Sequence, residues 1–180
     1  MGGRGLSAKP VLLRFRALDP RLAIGGLSDL IVRVSELALV EFRPERVFVV
    51  ENEITGLAFP SVSGALLMFG GGYAIDQLAP VSWLRCCPIH YWGDIDTHGF
   101  AILDRMRAAF PQTRSMLMDR ATLLAHRAAW SFEAAPHIAD LANLTAEESS
   151  LYDDLRLDRL GRGVRLEQER IPLRLVGPNA

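Results

Sequence analysis

Four short apolar runs rich in β-formers, Val47–Val50, Ala65–Phe69, Pro88–Trp92 and Ser115–Met118, alternate with segments of helical periodicity. This alternation limits the fold more than any other feature. A run that is apolar throughout, instead of at every second position, must be buried on both faces of its sheet. The helix candidates are one capped by Ser28 or Asp29 that carries Leu30, Val34, Leu37 and Ala38 on one face, one from Tyr73 to about Leu84, one from Phe100 to Phe110, and one through Leu123, Leu124 and Arg127. Short links between such strands and helices imply right-handed crossovers. The expected fold class is therefore α/β, with a Rossmann-like, mostly parallel four-stranded sheet flanked by helices.

The 180 residues, 49% apolar and 23% charged, are ordinary globular usage and enough for one domain. A polar, glycine-rich start over residues 1–14 reads as a tail or truncated linker, although Val11–Phe15 is a short strand candidate. Residues 15–135 carry the strand–helix alternation, and 136–180 read as a C-terminal helical extension of the same domain. Within it Thr145 and Glu148 have capping-box spacing for a helix reaching about Leu160. No apolar run attains the ~18 residues of a membrane span, and Met1–Gly5 lacks a signal peptide's apolar core, so a cytoplasmic protein without a membrane is expected. Cys86 and Cys87 are adjacent, which suits neither an ordinary disulfide nor a zinc knuckle; they read as buried thiols. A net charge of −1 argues against coating nucleic acid by bulk electrostatics. All 20 basic residues except Lys9 are arginines, whose planar forks suit phosphate contacts and which a coding bias explains equally well.

Ligands of a parallel sheet bind at the carboxyl ends of its strands, and acids collect there. Val47–Val50 runs into Glu51-Asn52-Glu53, Pro88–Trp92 into Gly93-Asp94-Ile95-Asp96, and Ser115–Met118 into Asp119. Carboxylates gathered at one edge repel one another unless a cation sits among them. Oxygen donors without cysteine suit Mg²⁺ or Mn²⁺, ions that leave positions open for phosphate oxygens and activate water. The chemistry indicated is cleavage or transfer at a phosphodiester, with Glu51 ligating the ion or moving a proton. Each acid also has a plainer use. Asp94-x-Asp96 can be a turn and a helix cap, Glu53 a solvated turn residue, Asp119 an N-cap or an auxiliary ligand, and His98 a structural hydrogen-bonding group beside the acidic turn. Gly70-Gly71-Gly72 would admit a phosphate to the backbone or simply allow a turn of positive φ. A Ser-His-Asp hydrolase is not indicated, since no Gly-x-Ser-x-Gly occurs.

Val49-Val50-Glu51 and Gly93-Asp94-Ile95-Asp96 resemble the two marks of the toprim domain, a glutamate ending the first strand and an Asp-x-Asp ending the third. The continuation to His98 and Gly99 is similar to the Spo11 and topoisomerase VI A-subunit branch. Val50-Glu51-Asn52-Glu53 with Leu57–Pro60, Gly70–Tyr73, Tyr91–Phe100, Leu117-Met118-Asp119 and Leu166–Arg170 together resemble the C-terminal domain of JetD, the nuclease subunit of Wadjet anti-plasmid systems, from about Phe15 to Val176. The resemblance implies a toprim fold in a bacterial homodimer that works with an SMC-like JetABC-type complex on invading plasmid DNA. It further implies a Mg²⁺-dependent endonuclease of double-stranded DNA, with Mn²⁺ as a substitute. By position, Asp94 and Asp96 would hold the metal and Glu51 would be ligand or general acid/base, with Glu53, His98, Asp119 and Glu169 as auxiliary candidates. Asn52 departs from the pattern, in which a glycine often follows the glutamate. Family members carry winged-helix-type DNA-binding regions upstream, and this chain is expected to begin after them, which would leave it weak or inactive alone. Spo11-like enzymes attack with a tyrosine from an upstream domain, whereas a metal-activated water needs only the toprim site. Tyr73, Tyr91 and Tyr152 suit core or helix positions, so hydrolysis is the expected route. The alternatives are a non-catalytic module for dimerisation or docking, and a topoisomerase-like subunit whose tyrosine lies elsewhere.

Overall fold

The computed structural model describes residues 10–70 and 77–175. Its strands are β1 (Leu12–Ala17), β2 (Asp29–Arg33), β3 (Arg46–Val50), β4 (Ala65–Phe69), β5 (Ile89–Trp92) and β6 (Thr113–Ser115), which form one sheet in the order β2-β1-β4-β3-β5-β6. The chain is α/β and the sheet mostly parallel, but it has six strands where four are expected. β4, β3, β5 and β6 run parallel, and β1 and β2 extend the sheet as an antiparallel pair on the β4 side. β3, with Val47, Phe48, Val49 and Val50 all within 1% of complete burial, lies at the centre as its unbroken apolar run requires.

The extra strands explain the first departure from the sequence reading. Leu30, Val34 and Leu37 have helical spacing, yet Leu30 and Val32 also alternate with Asp29, Ile31 and Arg33, and pairing with β1 decides in favour of the strand. Gly25 and Gly26 turn the chain with φ of +57° and +84°, the pair of positive values that a two-residue hairpin turn demands, while Ile24 and Leu27 exchange backbone hydrogen bonds. Only a short helix, α1 (Val34–Leu37), follows.

Helices α2 (Glu53–Ala58), α3 (Thr97–Ala109), α4 (Arg120–Ala125) and α5 (Ala146–Arg156) complete the layers. α3 turns Phe100, Leu103 and Met106 into the core. α5 begins with the expected capping box, Thr145 and Glu148 capping each other's backbone, but ends at Arg156 instead of near Leu160. Asp158, with φ of +56°, turns the chain away from helical geometry. Beyond α5 the chain is not purely helical: β8 (Val164–Arg165) pairs antiparallel with β7 (Ser131–Phe132), and 3-10 turns follow at Gln168–Arg170 and Leu173–Leu175.

Two further differences have local causes. The apolar run Ser115–Met118 is not a strand past Ser115, because Leu117 takes φ of +55° and breaks the pairing. Cys87 is buried and its thiol is pushed up to about 11 by that burial, but Cys86 is exposed. The expected Tyr73–Leu84 helix falls partly outside the described residues, as do Gly71 and Gly72; its described end is a 3-10 helix at Ser82–Cys86. No helix among the described residues is long and apolar enough to cross a membrane.

Candidate functional site

The parallel register of β3 and β5 sets Val50 beside Trp92, so the residues that follow, Glu51 and the turn Gly93-Asp94-Ile95-Asp96, leave the sheet side by side. Tyr91, fully buried in β5, donates its hydroxyl to the Glu51 carboxylate and also lies 3.3 Å from the Gly99 carbonyl oxygen. Gly93 is required by this approach, since a Cβ there would strike both the Glu51 carboxylate and the Tyr91 hydroxyl. A Cβ at Gly99 would meet the Asp94 carbonyl, which explains the second glycine of the motif. Asp96 caps α3, accepting from the Gly99 amide at 2.7 Å.

Glu51, Asp94 and Asp96 line one cleft of 340 Å³ with His98, Glu133 and Arg165. Burial pushes the Glu51 carboxyl up to about 7; the Tyr91 hydrogen bond opposes the rise, and Asp94 and Asp96 add to it. Burial likewise raises Asp96 to about 6, against the pull of the Gly99 amide and with the help of Glu133 and Asp94. Arg165 opposes both rises, but more weakly than burial drives them.

Among the described residues, the one arginine lining the cleft is Arg165, from β8. Its Nη2 donates to Asp94 Oδ2, while its Nε stands 3.2 Å from Asp96 Oδ2, close enough for attraction but not aligned as a hydrogen bond. The segment after β8 is tied across the acidic turn. Ile95 and Leu166 exchange backbone hydrogen bonds of 2.9 and 3.1 Å, the Gln168 amide donates to Asp94 Oδ1 at 2.7 Å, and Gln168 Oε1 accepts from the Asn52 amide at 3.0 Å. Asn52, the departure from the toprim pattern, therefore serves as the N-cap of α2 and as an anchor for this strap. As the side chains stand, no three His, Cys, Asp or Glu groups among the described residues are gathered at metal-ligand spacing. The donors are nonetheless those a hard cation takes, buried oxygens without a thiol, and Arg165 occupies the positive place among them.

The other candidates are dispersed. Glu53 begins α2, is 67% exposed and pairs with Arg14. Asp119 caps α4 through the Thr122 amide, four residues beyond β6 and outside the cleft. Glu169 is exposed and accepts from Asn52 Nδ2 at 2.9 Å, beside the cleft but not lining it. His98 lines the cleft with an exposed ring whose Nε2 lies 2.7 Å from the Ala135 carbonyl oxygen. Sequence reasoning missed Arg165 and Glu133. Glu133 is buried and accepts from the Thr97 hydroxyl and amide at 2.8 and 3.2 Å. The signal was present in Trp130-Ser131-Phe132-Glu133, another short β-forming run that ends in an acid.

A family model described as "Wadjet protein JetD, C-terminal" matches residues 5–180. The chain belongs to this JetD C-terminal family. The match spans every element of the cleft, including β8 and the strap, and it makes the protein a Wadjet-system component. A search of curated proteins returned no match.

Proposed function

We propose that this chain is a toprim-type catalytic module of a Mg²⁺-dependent DNA endonuclease, which hydrolyses phosphodiester bonds of invading plasmid DNA for a bacterial anti-plasmid system. The observation that carries this reading is the convergence of Glu51, Asp94 and Asp96 in one cleft at the carboxyl edge of the parallel strands of a JetD-family chain. Asp94 and Asp96 would hold the ion, with Glu51 as ligand or proton carrier. A bound divalent ion supplies polarisation of the phosphorus centre and a water acidified enough to attack it. The chain's own groups prepare the rest. Tyr91 fixes the Glu51 carboxyl in the cleft, where it would take a proton from water or return one to a leaving oxygen. The Gln168 amide orients Asp94, and the Gly99 amide orients Asp96.

Among the described residues, the placement of the two tyrosines favours hydrolysis over tyrosine attack. Tyr91 is enclosed, its hydroxyl committed to Glu51 and its pKa pushed well above normal chiefly by burial. The Tyr152 hydroxyl donates to the Ala139 carbonyl at 2.7 Å and lies 3.1 Å from that of His137. Tyr73 lies outside the described residues. Double-stranded DNA, an SMC-like JetABC-type complex and a second copy of the chain are the partners this reading assigns, in the cytoplasm.

The test is plasmid cleavage by the full protein with its partner subunits. Asp94→Ala and Glu51→Ala should each abolish cutting while the protein stays folded, and undiminished cutting by both variants overturns the reading. A second reading, a docking module without catalysis, draws support from Arg165, which already neutralises part of the acidic turn. Absence of Mn²⁺ binding at Asp94 and Asp96 would favour it.

A further inference from the structure

Four carboxylates, Glu51, Asp94, Asp96 and Glu133, share the cleft with one guanidinium. Both oxygens of Asp94 are taken, Oδ2 by Arg165 and Oδ1 by the Gln168 amide. The second of these bonds comes from backbone and is fixed by the Ile95–Leu166 pairing. The first comes from a long, flexible type of side chain that is 35% exposed. Arg165 also has a fixed root. Val164 pairs with Phe132 and Arg165 with Ser131, and Gly163, at φ of +55°, packs where a Cβ would meet the Phe132 ring at 2.6 Å. The backbone is thereby held beside the acidic turn, and the guanidinium reaches Asp94 and Asp96 from a side chain that is 35% exposed.

We infer that Arg165 is a positioning residue that stands in for the divalent cation, holding Asp94 and Asp96 together in the metal-free protein and yielding its place when the ion binds. The inference rests on the metal-site reading above. An arginine does not lose its proton at any ordinary pH, so it cannot make room by becoming neutral. An ion that takes Asp94 and Asp96 must therefore displace the guanidinium or bind against its repulsion. Either way the arginine lowers metal affinity and keeps the emptied site from flying apart.

Mn²⁺ titration followed by electron paramagnetic resonance tests this in the wild type, Arg165→Met, Arg165→Lys and Asp94→Asn, with thermal melting of each in the absence of metal. Arg165→Met keeps much of the stem and removes the competing charge, so Mn²⁺ should bind it roughly tenfold tighter, the equivalent of one modest ion pair. Its metal-free form should melt lower than the wild type and gain more on Mn²⁺ addition. Arg165→Lys, a point charge that cannot fork across both carboxylates, should fall between the two and serves if the methionine variant does not fold. Wild-type binding that is lost in Asp94→Asn but unchanged or weakened in Arg165→Met overturns the stand-in role and leaves the metal site intact. Binding that Asp94→Asn does not affect, or no binding by any of the proteins, overturns both.

Discussion

The hydroxyl of Tyr91, on a ring enclosed within the sheet, donates to the carboxylate of Glu51 at the end of the neighbouring strand, so one of the two acids whose pKa is raised in the cleft is anchored from the core. This bond favours the ionised carboxylate and holds Glu51 below where burial alone would put it. In metal-free protein, Tyr91→Phe should therefore move the Glu51 pKa up from about 7, read by carboxyl-carbon NMR titration. An unchanged or lower value would refute the assignment. Loss of the bond should also cost about 1–2 kcal/mol of unfolding free energy.

Gly93 should tolerate no side chain. A Cβ at this position would overlap Glu51 and Tyr91 together, and neither can retreat, since one is hydrogen-bonded and the other fully buried. Gly93→Ala is expected to destabilise by about 1–3 kcal/mol through overpacking, measured by urea unfolding. Ala at Gly25, where nothing lies within 4 Å, should cost only the strain of its positive φ.

Acid should weaken the contact between α3 and α5. Burial raises the Glu148 pKa, but hydrogen bonds from Arg107, Ser115 and the Thr145 amide outweigh it, so the folded pKa is lowered. A carboxylate with a depressed folded pKa contributes stability above its unfolded value, about 4.3, and that contribution is lost as pH falls through the folded value. Wild-type unfolding free energy should thus drop below about pH 4, and Glu148→Gln should flatten that part of the profile. Arg107→Ala leaves Glu148, 9% exposed, with the Ser115 and Thr145 hydrogen bonds but without this cation, and should cost about 3 kcal/mol at neutral pH, the low end for a broken buried pair.

How much of this could be read from the chain depended on the range of the interactions. The parallel core was legible because Val47–Val50 and Pro88–Trp92 carry their burial in their own composition. Glu51, Asp94 and Asp96 were legible as strand-end acids for the same reason. Residues 29–33 fit two periods at once, and only the long-range partner β1 decided between them. Arg165 and Glu133 lie at or beside strands of two residues, too short to show any period, and reach the cleft through pairing between positions more than 30 residues apart. Asp119 caps α4, one of the two uses its position allowed, and it stands beyond the end of β6 because Leu117 turns left-handed.

Glu133 ties the C-terminal half of the cleft to the start of α3, and its role should appear as coupling with Thr97. The carboxylate is 5% exposed and accepts from both the hydroxyl and the amide of Thr97, while the same hydroxyl oxygen accepts from the His137 amide at 2.6 Å. Glu133→Ala removes the acceptor from two buried donors and should cost about 1–3 kcal/mol. Glu133→Gln keeps a carbonyl acceptor and should cost less. Thr97→Val leaves the amide bond but deletes the hydroxyl, so the losses of Thr97→Val and Glu133→Ala should not add. A double-mutant cycle on urea unfolding should return a coupling of about 0.5–3 kcal/mol, and additivity within error would mean the two residues stabilise the fold independently.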